Sequence, residues 1–127
     1  MLGYATIGTN DFAKATAFYD ELLSIVGAKR VWDDPTFIAW GNSATGAGLS
    51  IAKPFDGSSA TVGNGSMIAI AAPDRATVDK IYAKAIALGA TDEGGPGLRG
   101  DDDSTFYAAY FRDLDGNKLN AFYMGAA

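Results

Sequence analysis

The apolar positions of this chain describe one pattern twice. Tyr4-Ala-Thr-Ile-Gly-Thr-Asn-Asp11 is a β-like run that stops at an aspartate, and Met67-Ile-Ala-Ile-Ala-Ala-Pro-Asp74 has the same form 63 residues later (67 − 4). After each aspartate the period lengthens. Apolar residues fall at Ala15, Phe18, Tyr19, Leu22, Leu23 and Val26, and again at Val78, Ile81, Tyr82, Ala85 and Ile86. That is the i, i+3, i+4, i+7 spacing of one helix face. Asp11 and Asp74 suit N-caps, because a carboxylate accepts the orphan backbone N–H bonds of a first turn and favours the positive end of the helix dipole. Gly27 and Gly89 are placed to close the two helices.

Strands are predicted to follow each helix, now at an offset of 70. Phe37-Ile-Ala-Trp40 aligns with Tyr107-Ala-Ala-Tyr110, and Leu49-Ser50-Ile51 with Leu119-Asn120-Ala121. Turn-rich segments, Gly41–Gly46 and Asp113–Asn117, join the members of each pair. Gly63-Asn-Gly65 and Gly94-Gly-Pro-Gly97 lack the spacing of a phosphate-binding loop and read as turns. Each half is therefore strand, helix, then two or three strands. The pattern predicts a single α+β domain over residues 1–127, made of two modules of about 1–60 and 61–127.

Composition narrows the chemistry. The 127 residues include no histidine and no cysteine. Disulfides, thiolate metal sites and any Ser/His or Cys/His nucleophile set are excluded, and the usual general base near neutral pH is missing. The net charge of −5 disfavours nucleic acid, whose affinity comes from neutralising phosphates, and would attract a cationic ligand. No window approaches the ~18–20 apolar residues of a membrane span, and Met1–Asn10 carries no positive charge of the signal-peptide kind. These features lead to an expected cytoplasmic location with no nucleic-acid or membrane partner. Asp113-x-Asp115-x-Asn117 begins like a calcium loop, but its glycine comes too early and Met124 stands where the closing glutamate belongs, so it reads as a hairpin turn. Asp101-Asp102-Asp103 reads as a solvated acidic loop.

Asp11, Ala17-Phe18-Tyr19, Leu22-Leu23 and Gly27, with the closing run Tyr107-Ala-Ala-Tyr-Phe-Arg-Asp113-Leu-Asp-Gly-Asn117-Lys-Leu-Asn120, resemble the glyoxalase / bleomycin-resistance / extradiol dioxygenase (vicinal oxygen chelate) superfamily. Gly94-Gly-Pro-Gly-Leu-Arg99 is similar to a segment of one bacterial branch. The resemblance implies two tandem βαβββ modules forming an incomplete barrel around a cleft, and a homodimer. In active members it implies a divalent metal held by His, Gln or Glu from the first and last strand of each module. Those four positions fall here on Tyr4, Ser50, Met67 and Asn120. A phenol, a hydroxyl, a thioether and an amide do not form such a set. No metal or other cofactor is expected, and neither lactoylglutathione lyase nor extradiol dioxygenase chemistry follows from the fold.

What remains is a candidate cleft of Tyr4, Trp40, Ser50, Met67, Tyr110 and Asn120, with Arg99 placed by the resemblance near its mouth. Phe37 and Tyr107, three residues before Trp40 and Tyr110, are expected on the opposite strand faces. Tyr4, Ser50 and Asn120 would orient a small, partly aromatic or cationic ligand, unless side chains have filled the cavity. Two other readings stand beside a metal-free binding protein. One is a metal-independent lyase or isomerase using Tyr4, Arg99 or a loop carboxylate; the other is an interaction module without small-molecule activity. No catalytic residue is assigned.

Overall fold

A computed structural model of the chain describes residues 1–126. They divide into two compact units that meet between Gly63 and Asn64. The first contains β1 (Tyr4–Gly8), α1 (Phe12–Ser24), β2 (Lys29–Asp34), β3 (Phe37–Gly41) and β4 (Gly48–Ala52). The second contains β5 (Ile68–Ala71), α2 (Arg75–Ala87), β6 (Thr91–Leu98), β7 (Phe106–Arg112) and β8 (Lys118–Met124). Both are βαβββ modules. Each forms an open four-stranded sheet, ordered β1-β4-β3-β2 in one and β5-β8-β7-β6 in the other. In each sheet the first strand runs parallel to the last, and the remaining pairs are antiparallel.

The two helices begin as the aspartates dictate. Asp11 accepts from the Lys14 amide at 3.2 Å, and Asp74 accepts from the Thr77 amide and hydroxyl, both at 2.7 Å. Each satisfies a backbone donor that the first helical turn leaves unpaired. Gly27 and Gly89 follow the helices with φ of 73° and 104°, left-handed geometry that a residue without Cβ adopts at no steric cost.

Each helix buries its apolar stripe on one face of its own sheet. In the first module Ala15, Phe18, Tyr19, Leu22 and Leu23 are buried on α1, and Ile38, Trp40, Leu49 and Ile51 are buried in the sheet. The Tyr19 and Trp40 rings lie 5.7 Å apart. In the second module Val78, Ile81 and Ala85 of α2 are buried, as are Ala109, Phe111, Leu119 and Ala121 of the sheet. Burying a large apolar side chain of this kind contributes roughly 1.5–3 kcal/mol. The opposite face of each sheet carries no helix of its own module.

The Gly94–Gly97 segment expected as a turn lies within strand β6. Its pairing with β7 shifts register between Asp92 and Gly94 and again between Gly94 and Gly97. Glycines in a strand commonly mark such bulges. The Asp113–Asn117 segment is a tight hairpin turn. Asp113 Oδ1 accepts from the Asp115 and Asn117 amides at 2.9 Å, and its Oδ2 accepts from the Asn117 side chain at 3.0 Å.

Candidate functional site

Lateral pairing decides which side chains share a sheet face, because directly paired residues point the same way. In the first module Thr6, Ser50 and Ala39 are paired across β1, β4 and β3. They lie on the open face, with Tyr4, Phe37 and Gly48. In the second module Ala69, Asn120 and Tyr110 are paired across β5, β8 and β7. Met67 immediately precedes β5 and alternates onto the Ala69 side. Tyr4 and Ser50 thus occupy one face of adjacent parallel strands, and Met67 and Asn120 have the same relation in the second sheet.

Trp40 is elsewhere. It pairs with Leu49, is 2% exposed, and points to α1, where its indole N–H donates to Asp20 at 2.9 Å. Phe37, expected on the far side, is instead on the open face and meets the Tyr4 ring edge-on at 6.0 Å. The cause is a single residue in the hairpins. The β3–β4 connection, residues 42–47, is one residue longer than the β7–β8 connection, residues 113–117. Ser50 and Asn120 correspond at an offset of 70, but their partners Ala39 and Tyr110 correspond at 71. A slip of one residue turns every side chain of a strand to the other face.

The residues at the four expected ligand positions do not suit a Zn²⁺ or non-haem Fe²⁺ site. Tyr4 and Met67 are 63% and 43% exposed, while Ser50 and Asn120 are buried. Their donors are neutral, and hard or borderline divalent ions favour imidazole, carboxylate and thiolate. Among the described residues no group of three or more His, Cys, Asp or Glu side chains stands close enough to hold an ion. Ser50 Oγ and Asn120 Oδ1 are buried without a hydrogen-bond partner. Such an atom costs free energy unless something pairs with it.

The two open faces differ. That of the first module is hollow and aromatic. A cavity of about 620 Å³ is lined by Tyr4, Val31, Trp32, Phe37, Ala39 and Gly48, among others. A second, of about 720 Å³, is lined by Thr6, Phe37, Ala52 and residues of the 53–61 segment.

The open face of the second module is charged. Arg99 sits just past the end of β6 with its guanidinium 5.5 Å from the Tyr110 ring centre, and Lys118 Nζ lies 5.6 Å from the same centre. Arg99 donates to the Gly95 carbonyl at 2.6 Å. Among the described residues neither cation is paired with a carboxylate, and the Asp101–Asp103 run does not neutralise Arg99. Arg112 is paired with Glu93. Lys118 was not among the residues singled out from sequence. Its alternation with Asn120 along β8 was the available signal.

Two open sheets, each backed by one helix and joined in tandem, define a protein of the paired βαβββ class. The profile of the Glyoxalase/Bleomycin resistance protein/Dioxygenase superfamily matches residues 1–121. The chain belongs to that superfamily. It is similar to the crystal structure of a glyoxalase/bleomycin resistance protein from Albidiferax ferrireducens T118, with 32% identity, a TM-score of 0.87, and coverage of 98% of this chain and 99% of that one. The fold is shared with a glyoxalase/bleomycin resistance protein/dioxygenase family enzyme from Burkholderia phytofirmans PsJN (18% identity, TM-score 0.73, 97% and 98% covered). It is also shared with a putative glyoxalase from Bacillus halodurans (18%, 0.72, 96% and 94%). No curated protein matches the chain at a significant level. No helix is long and apolar enough to cross a membrane.

Proposed function

We propose that this chain is a small-molecule-binding member of the superfamily that works without the superfamily's metal, and that its ligand engages the open face of the second sheet at Asn120 and Tyr110. The observation that carries this reading is Asn120 Oδ1, buried with no partner directly across from an aromatic ring. A bound molecule offering an N–H or O–H there would remove a desolvation penalty that the free protein bears. The test is a fragment screen by ¹H–¹⁵N NMR on the wild-type protein and on Asn120→Leu. The reading expects hits that shift the Asn120 side-chain amide and the Tyr110 amide, and their loss in the variant. Hits that ignore both residues, or survive Asn120→Leu unchanged, would overturn it.

A second copy of the chain is the proposed partner. Tyr4 and Trp32 on the open face of the first module, and Met124 on that of the second, are 63%, 61% and 64% exposed. Apolar surface of this kind gains free energy when a copy covers it. Light scattering coupled to size exclusion should give the mass of a homodimer; a monomer at high micromolar concentration would contradict it.

A further inference from the structure

The chain carries a net charge of −5, yet the two cations nearest Tyr110 have no carboxylate partner among the described residues. In an acidic protein, unpaired cations converging on one ring are not the expected outcome of charge balance. The glycines of β6 provide a structural reason for the position of one of them. A methyl group at Gly94 would stand 3.2 Å from Arg99 Nη2, and one at Gly97 would stand 3.1 Å from Nη1. Gly94 also has a φ of 144°, which residues with a Cβ rarely adopt. The bare backbone at these two places forms a seat on which the guanidinium lies back toward Tyr110. The Gly95 carbonyl then fixes it through an Nη2 hydrogen bond at 2.6 Å, with a long one from Nη1 to the Leu98 carbonyl at 3.5 Å. A guanidinium offers five donors in a rigid fork, so most of its hydrogen-bonding capacity is left for something else. Lys118 and Asn120 alternate on β8 toward the same face, and the same face continues to the Phe106 and Phe122 rings, stacked at 5.7 Å.

We propose that the molecule bound on this face is a small organic anion. Its carboxylate is held by the seated Arg99 and by Lys118, its apolar body lies along Tyr110 and the Phe106–Phe122 stack, and a donor group meets Asn120. This rests on the binding reading above and adds the ligand's charge to it. It reverses the expectation of a cationic ligand drawn from net charge: the total charge of a chain describes its long-range field, while unpaired groups at the site decide what binds there.

The test compares benzoate, 3-hydroxybenzoate, benzylammonium and inorganic phosphate as probes, titrated into the ¹⁵N-labelled full chain at constant ionic strength. Benzoate should shift the Arg99 Nε–H and Tyr110 signals saturably, while benzylammonium leaves them in place; 3-hydroxybenzoate, which adds an O–H donor, should shift the Asn120 side-chain amide as well. Arg99→Gln should weaken benzoate at least tenfold, and Arg99→Lys should restore part of the loss. Gly97→Ala should weaken it several-fold by unseating the guanidinium, with signal dispersion reporting that each variant is folded. Benzylammonium binding at these residues in place of benzoate would overturn the anion assignment and leave the pocket standing. Phosphate acting as strongly as benzoate would overturn the organic body. Absence of any saturable shift at these residues would sink the pocket and the anion together.

Discussion

Asn120 faces Tyr110 across the β7–β8 hairpin, on the sheet face that α2 leaves open. The matching pair in the first module is Ser50 and Ala39. One module therefore sets an aromatic ring beside its buried amide, and the other sets a methyl group beside its buried hydroxyl. The difference accounts for a hollow face in the first sheet, where Ala39 leaves room between Tyr4, Trp32 and Phe37. It also accounts for an aromatic platform flanked by cations in the second.

Ser50 and Asn120 carry buried polar atoms without partners, so removing those atoms should stabilise the free protein. Ser50→Ala and Asn120→Leu are each expected to raise the unfolding free energy by about 1 kcal/mol, measured by urea denaturation with unchanged slope. Asn120→Leu is expected to lose the ligand at the same time. A loss of stability in both variants would show that the two atoms are satisfied in solution.

The two tryptophans should respond differently to solvent. Trp32 is 61% exposed and Trp40 is 2% exposed. At a dilution that leaves the chain monomeric, iodide should quench the wild-type fluorescence in part, and Trp32→Phe should leave emission that iodide barely reaches. Trp40→Phe should destabilise the protein by about 1–3 kcal/mol through loss of the bond to Asp20 and of packing on Tyr19. If Trp40→Phe proved neutral to folding but abolished ligand binding, the face assignment would be reversed.

Asp20 lies between the Arg30 guanidinium and the Trp40 indole. The hydrogen bond from Arg30, followed by that from Trp40, holds its carboxyl below the usual 3.8 against an opposing effect of burial. A carboxyl depressed in the folded state contributes stability that is present above its unfolded pKa and is lost as pH falls through the folded value. The denaturation midpoint of the wild type should therefore drop below about pH 4 more steeply than that of Asp20→Asn. Parallel profiles would remove Asp20 from the acid response. The pair is partly exposed, so solvent screens the effect and it should be modest.

Gly48 is fixed by close approach. A Cβ there would sit 2.9 Å from the Trp40 carbonyl oxygen, a backbone atom that cannot swing aside. Gly48→Ala should cost about 1–3 kcal/mol, while Gly3→Ala, which meets nothing within 4 Å, should be close to neutral. Thermal unfolding of the two variants side by side checks this; equal midpoints would contradict it.

The repeat and both helices were legible in the chain because an N-cap aspartate and a 3.6-residue period are local signals. The placement of Ser50 and Asn120 could be read because they lie on parallel strands that keep their register with the repeat. Trp40 was misassigned because its face depends on hairpin length, and one residue in the 42–47 loop shifts β3 against β7. Gly94–Gly97 looked like a turn because glycine and proline signal turns, whereas pairing with β7 holds the segment in a bulged strand. The charge around Tyr110 could not come from composition. Arg99 lies beside the ring over a backbone that is bare at Gly94 and Gly97.

The superfamily's metal positions are held here by neutral groups that do not suit a divalent ion, Tyr4 and Ser50 in the first module and Met67 and Asn120 in the second. Titration of Zn²⁺ and Mn²⁺ into the ¹⁵N-labelled protein, followed at Tyr4, Ser50, Met67 and Asn120, tests it most directly. The account predicts no saturable shift at these residues with either ion. Stoichiometric, tight binding of either ion at these residues in either module would contradict it.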